Sequence, residues 1–198
     1  MITIIDYGLG NIGSVANTLA RLGQTYQISA DAAVIRSAEA LILPGVGAAG
    51  VGMQNLQERG LVTVIQQYKK PLLGICLGMQ LLFENSEEGN TPCLGFLKGQ
   101  VKKFQLERRV PQIGWNNVNI STQKNSLFDG IENNSYFYFV NSYYCVPTET
   151  SVIAATTDYG ETFASVVATK NVVATQFHPE KSGDIGFRFL QNFINEYL

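Results

Sequence analysis

Short uninterrupted apolar runs alternate with amphipathic stretches through the first half of the chain. Ile2 to Asp6 reads as a strand, about Asn11 to Arg21 as a helix, and Thr25 to Ser29 and Ala40 to Leu43 as strands. Leu61 to Tyr68 reads as a further element of this alternation, and Leu72 to Ile75 as a strand running directly into a helix from Leu77. Strands of continuous apolar residues joined by helices predict a parallel sheet covered on both faces. From Leu94 the pattern changes to strands separated by turns: Gly95 to Phe104, Asn117 to Ile120, Tyr136 to Val146, Val152 to Thr157, Phe163 to Thr169 and Val172 to Phe177. A helix from Ile185 to Tyr197 closes the chain. The expected fold is α/β, an open, mostly parallel twisted sheet flanked by helices, with antiparallel strands added in the C-terminal half. The length of 198 residues suits a single domain over 1–198, and no repeat or linker interrupts it.

In open sheets of this kind, sites form outside the carboxyl ends of the strands. That rule gathers Asp6-Tyr7-Gly8-Leu9-Gly10-Asn11, Pro44-Gly45-Val46-Gly47 and Cys76 along one rim. Cys76 stands between Gly74 and Gly78, where a strand stops and a helix begins. Such a turn needs small flanking residues, because a Cβ there would collide with the facing backbone. It pushes one side chain to the mouth of the sheet and to a helix N-terminus, where a thiolate is favoured. The competing reading is that Cys76 is a small buried hydrophobe, as most free cysteines are.

A cysteine nucleophile needs a base, and the chain has one histidine. His178 follows the apolar run "VVATQF" and opens "HPEKS", so it too stands just past a strand end. Pro179 keeps it out of helical geometry. In an extended segment a carboxylate two residues on points the same way, so Glu180 is expected to receive an imidazole N–H and orient the ring. The alternative is a surface His-Pro turn with a solvated glutamate. A metal site fails for want of ligands. An oxyanion hole would come from backbone N–H groups in a glycine turn, and "LPGVG" at Leu43 to Gly47 supplies one; a peptide flip there would switch donors in or out. A plain structural loop is the equal alternative.

Composition narrows the partners. Hydrophobic residues make up 45% and charged residues 15%, and the net charge of −2 gives no reason to expect nucleic acid. The doublets Lys69-Lys70, Lys102-Lys103 and Arg108-Arg109 read as solvated corners. So low a charge points to surface covered by a partner. The opening "MITIIDYGLGN" lacks a basic leader, and no apolar run reaches the roughly 18 residues of a membrane helix. Three cysteines at spacings that match no zinc pattern point to reduced thiols in the cytoplasm. "DYGLGN" is not a dinucleotide fingerprint, and no cofactor is expected.

Taken together, "IIDYGLGNIGSV", "LPGVG", "GICLGMQLLFENSEE" and "ATQFHPEKS" resemble the class I (triad) glutamine amidotransferases, whose sheet is flavodoxin-like. "GWN" at Gly114 to Asn116, "YFV" with "SYY" at Tyr138 to Tyr144, and a size with no room for a synthase domain narrow the resemblance. It points to the glutaminase subunits of imidazole glycerol phosphate synthases and runs from residue 2 to about residue 190. It implies that Cys76 attacks the carboxamide of L-glutamine, His178 shuttles the proton and Glu180 orients it. Val46 and Gly47, with Leu77, would form the oxyanion hole. Gln80, Glu88, Ser142 and Tyr143 match positions that hold the α-amino and α-carboxylate groups. Asn11, Trp115, Asn116 and Lys181 match the face toward a cyclase subunit, a (β/α)₈ barrel that receives ammonia in a heterodimer. On residue type alone Trp115 is equally a core residue.

The chain departs from that pattern twice. Gln112 and Asn141 stand where the family usually has histidine, which removes titration near neutral pH and leaves the triad intact. The changes admit a second reading, a paralogue supplying ammonia to a different synthase, such as one acting on a surface-glycan sugar. A catalytically silent subunit is disfavoured by the intact triad residues. A cysteine peptidase is disfavoured by the matched glutamine-holding positions.

Overall fold

The computed structural model describes residues 1–105, 109–121 and 126–198. The first half runs β1 (Ile2–Ile5), α1 (Ile12–Arg21), β2 (Tyr26–Ser29), α2 (Ala32–Ser37), β3 (Ala40–Leu43), α3 (Ala49–Glu58), α4 (Val62–Gln66), β4 (Leu72–Ile75) and α5 (Leu77–Leu81). Two short strands, β5 (Asn85–Ser86) and β6 (Thr91–Pro92), lead into β7 (Gly99–Lys103), β8 (Gln112–Ile120), β9 (Ser135–Asn141) and β10 (Tyr143–Pro147). The chain then continues through β11 (Ile153–Asp158), β12 (Thr162–Ala168), β13 (Val172–Thr175) and α6 (Gly183–Tyr197).

Strands β2, β1, β3, β4 and β13 pair in that order, all parallel. Beyond β13 the sheet continues through antiparallel β12, β10 and β7, and β11 carries the β8–β9 hairpin as a branch. The sheet stays open, as expected. Alternation within each strand divides the core in two. Ile2, Ile4 and Ile42 pack with Val15 and Leu19 of α1 and with Phe189 and Phe193 of α6. Ile5, Leu41 and Leu43 pack on the opposite face with Ile35, Leu56, Val64 and Leu81 from α2 to α5. Each fully buried side chain of this size contributes roughly 2 kcal/mol. An aromatic group extends the first core: Phe177 stacks on Phe137 at 4.1 Å and meets Phe189 edge-on at 5.5 Å. This group ties the segment after β13 to β9 and α6, and so fixes the backbone that leads into His178.

Several predicted boundaries shift for identifiable reasons. The run Tyr136 to Val146 is two strands parted at Ser142, because the chain leaves the β8–β9 ladder there to join β7 and β12. Pairing with β9 starts β8 at Gln112, five residues earlier than the pattern suggests. The strand expected from Gly95 begins only at Gly99, and the element expected over Leu61 to Tyr68 is a helix, Val62–Gln66. Two helices absent from the sequence reading appear. In α2, Asp31 Oδ1 accepts N–H bonds from Ala33 and Val34 at 2.8 and 2.9 Å. In α3 two glycines weaken intrinsic helicity, and packing holds the helix, with Gly52 against Leu81. Arg108 of the Arg108-Arg109 doublet lies outside the described residues. Among the described residues no helix is long and apolar enough to cross a membrane.

Candidate active site

The end of β4 forms the tight corner that its glycines predict. Cys76 has φ 54° and ψ −107°, a positive φ that a side-chain-bearing residue holds only when its surroundings force it. Its N–H donates to the Thr175 carbonyl at 2.7 Å, which pins the corner to β13. A Cβ at Gly78 would be driven into the Leu43 carbonyl, and one at Gly74 would reach Leu82 Cδ1 at 2.7 Å and the Gly78 backbone at 3.0 Å. The two glycines therefore let β3, β4 and α5 close on one another. Cys76 is 6% exposed, and its sulfur faces a cavity of about 280 Å³.

His178 reaches the same cavity from β13. Its ring is 2% exposed, and Nδ1 lies 2.9 Å from Glu180 Oε1, whose side chain is 1% exposed. Glu180 sits in a 3-10 turn, Pro179–Lys181, and not in the extended segment expected from the sequence. The turn still returns the carboxylate to the ring. Ser182 locks it by donating to the His178 carbonyl at 2.7 Å and accepting the Tyr138 N–H at 3.0 Å, while the His178 N–H donates to the Tyr138 carbonyl at 2.9 Å. With Nδ1 committed to Glu180, Nε2 is the nitrogen left for the sulfur. Burial opposes the charged ring, but hydrogen bonds and charge from Cys76 and Glu180 outweigh it and lift the His178 pKa to about 10. The ring is thus favoured in its protonated form beside the Cys76 sulfur. Burial instead holds the other two thiols neutral, Cys93 pushed up to about 11 and Cys145 raised well above the ordinary thiol range.

The Leu43 to Gly47 turn forms the next wall, and Val46, Gly47 and Leu77 all line the cavity. The Leu77 N–H donates to the Gly45 carbonyl at 3.3 Å, so one of the three expected oxyanion donors is occupied by the turn itself. The buried Tyr7 hydroxyl donates to the Pro44 carbonyl at 2.8 Å and holds the first half of the turn. Burial, and then the charge of Cys76, keep that hydroxyl protonated far above the usual tyrosine range.

Gln80, Glu88, Ser142, Tyr143 and Lys181 line the cavity as well. Glu88 does double duty, since its Oε2 accepts the Ala49 N–H at the start of α3 at 2.7 Å. Asn11, Trp115 and Asn116 lie outside the cavity. Trp115 is 56% exposed, which removes the core alternative, and Asn116 Nδ2 donates to the Asp158 carbonyl at 2.9 Å. Ladder register puts Ile113, Trp115, Tyr136 and Tyr138 on the hairpin face that also bears Val140 of the cavity wall. Gln112 and Asn141, the two departures from the family pattern, are direct ladder partners; both are buried, and Gln112 Nε2 and Oε1 and Asn141 Oδ1 have no partner among the described residues.

Two contacts to the sulfur escaped the sequence reading. Cys76 Sγ donates to the Val140 carbonyl at 3.6 Å and accepts from Gln176 Nε2 at 3.8 Å. The period-2 spacing of Gln176 from His178 was a usable signal for the second. Nothing in the sequence pattern points to Val140. A thiol and an imidazole at one small cavity, with a carboxylate behind the ring, are chemically suited to acyl transfer.

The family description "Glutamine amidotransferase class-I" matches residues 3–196. The chain is 48% identical over 202 residues to "Imidazole glycerol phosphate synthase subunit HisH" of Dehalococcoides mccartyi, covering 100% of this chain and 98% of that protein. It is 47% identical over 196 residues to the protein of the same name from Haemophilus influenzae, covering 98% of this chain and 97% of that one. A solved structure described as "Crystal structure of glutamine amidotransferase" superposes with a TM-score of 0.75 at 20% identity, over 98% of this chain and 99% of that one, which shows the shared fold.

Proposed function

The chain belongs to the class I glutamine amidotransferases, and we propose that Cys76, His178 and Glu180 make it hydrolyse L-glutamine through a cysteinyl thioester. The Cys76 sulfur attacks the carboxamide carbon, and the carbonyl oxygen takes up charge facing Val46 and Gly47. Collapse breaks the C–N bond, and the proton from His178 lets the nitrogen leave as ammonia. Water then gives a proton to His178, attacks the thioester carbonyl and expels the thiolate, releasing glutamate. Glu180 stabilises the imidazolium and fixes the ring. Gln80, Glu88, Ser142 and Tyr143 hold the α-amino and α-carboxylate groups of the substrate, and the modest cavity favours a free amino acid over a peptide.

The chain is the glutaminase subunit of an imidazole glycerol phosphate synthase of histidine biosynthesis, in line with its full-length relatives. In this proposal the partner is a (β/α)₈ cyclase subunit, bound as a heterodimer in the cytoplasm. Asn11, Trp115, Asn116 and Lys181 meet it, extended by the exposed Ile113 and Tyr136. Ammonia passes directly to the cyclase, which makes imidazole glycerol phosphate and an aminoimidazole carboxamide nucleotide. Sheltered transfer matters because ammonia in neutral water is mostly ammonium and no nucleophile. One domain over 1–198 accommodates the glutaminase step, and no cofactor takes part. The observation that carries the reading is the 2.9 Å His178–Glu180 contact, with His178 and Cys76 lining one cavity.

The buried ladder pair Gln112–Asn141 favours one second reading, delivery of ammonia to a different synthase such as one acting on a surface-glycan sugar. Glutamate release by the chain, alone and with a histidine-pathway cyclase plus its nucleotide ligand, separates the two, with Cys76→Ala as control. Strong stimulation that the variant abolishes is expected. Cys76-dependent hydrolysis that the cyclase neither binds nor stimulates would move the assignment to the second synthase.

A further inference from the structure

We propose that Gln176 is a positioning residue for the Cys76 thiolate, held in its donating orientation by a relay of amides that starts at the backbone carbonyl of Tyr143. The proposal rests on the glutaminase reading above.

Hydrogen-bond logic sets the direction of every amide in the relay. A backbone carbonyl only accepts, so Gln80 must turn its Nε2 toward Tyr143 O, 3.1 Å away. Asn141 Nδ2 donates to the same oxygen at 3.0 Å and fills its second lone pair. The remaining hydrogen on Gln80 Nε2 meets Gln176 Oε1 at 3.1 Å. Gln176 must then present its own Nε2 to Cys76 Sγ at 3.8 Å. Reversing the Gln176 amide would set two NH₂ groups against each other. With Gln176 fully buried, no water could relieve that clash.

The relay distinguishes two states of the sulfur. A neutral thiol donates to the Val140 carbonyl, which then faces a lone pair with the wrong sign once the proton leaves. A thiolate finds the Gln176 N–H and the His178 ring instead. An N–H aimed at a charged sulfur in a buried site favours the charged form and holds its direction of attack. The chemistry also explains the residue type. Glutamate would set an anion beside the thiolate, and leucine would offer no donor. The relay begins on the Ser142-Tyr143 segment, which lines the cavity where the substrate's α-groups are placed. Occupancy at that segment therefore steadies the same carbonyl that orients the nucleophile's donor.

The test is the pH dependence of Cys76 alkylation by iodoacetamide, read at the Cys76 peptide by mass spectrometry on the full chain. In Gln176→Leu the midpoint is expected to rise by about one pH unit, and in Gln176→Glu by more. Glutamine turnover with the synthase partner should fall about 10- to 100-fold in kcat, with KM within about threefold. Gln80→Met keeps Gln176 but frees its amide to turn, so it should raise the midpoint in the same direction and stands in if the Gln176 variants do not fold. Parental midpoints in the folded variants would overturn the proposal even if kcat fell, because a merely structural role lowers turnover without moving the thiol's titration. Alkylation needs no glutamine, so failure of the glutaminase reading would show separately, as a parent that alkylates normally and releases no glutamate.

Discussion

The Cys76 corner and the Pro44–Gly47 turn stand side by side at the rim of the sheet and are built in opposite ways. At the corner, a Cβ at either Gly74 or Gly78 would meet backbone at or within 3.0 Å, and the Cys76 N–H is tied to β13. In the turn, only the first half is fixed. A Cβ at Gly45 would reach the Tyr7 hydroxyl at 2.5 Å and Leu77 Cβ at 2.7 Å, whereas Gly47 has φ +109° and no atom of the described residues near its Cβ position, and Val46 is 40% exposed. Packing thus fixes the proposed nucleophile and base firmly and holds the second half of the proposed oxyanion wall only loosely. A glutaminase that spills ammonia without an acceptor is wasteful, so in the proposed function a loosely held wall would let an acceptor couple the two steps.

The difference between the two regions can be broken at several points. Cys76→Ala should lower glutamine turnover by about 10⁴-fold, roughly 5.5 kcal/mol of transition-state stabilisation, in a chain that still folds. Gly78→Ala attacks the rigid side and should cost about 3 kcal/mol in urea unfolding, since the Leu43 carbonyl has to move. Among the described residues Gly47→Ala meets no atom and is opposed by its positive φ, so about 2 kcal/mol is expected. Partner-stimulated turnover should suffer more than basal turnover in that variant, and equal losses would show that the turn does not change on activation.

The smallest effect belongs to the base. As the chain's one histidine, His178 gives a single imidazole signal by NMR, expected to titrate near pH 10. In Cys76→Ala two of the causes that raise it disappear, so the midpoint should fall by at least about one pH unit, or ~1.4 kcal/mol. Because the folded pKa lies above the unfolded value, the associated stability is fully present below about pH 6.5 and is lost as pH rises toward 10. Urea unfolding from pH 6 to pH 9 should show that decline in the parent and a weaker one in the variant.

Much of this site is legible in the chain because its parts are local. The glycine spacing around Cys76 marks a strand-to-helix corner, and His178-Pro179-Glu180 marks a base with its orienting carboxylate, since both depend on residues within two positions. Local reading erred where geometry was not local. It placed Glu180 on an extended segment, ran one strand through Ser142 and overlooked α3, whose two glycines argue against a helix that packing nevertheless holds.

By itself the sequence determined the alternation of strands and helices, the corner that presents Cys76 and the short segment that presents His178. Each is set by steric and hydrogen-bonding preferences among near neighbours. Only the tertiary structure decided what surrounds the sulfur: the Val140 carbonyl 64 residues away, the Gln176 amide 100 residues away and the Gly45 carbonyl that occupies the Leu77 donor. Those contacts follow from which strands pair and in what register, and one residue of slip in the segment running on from β13 would turn the Gln176 side chain to the other face.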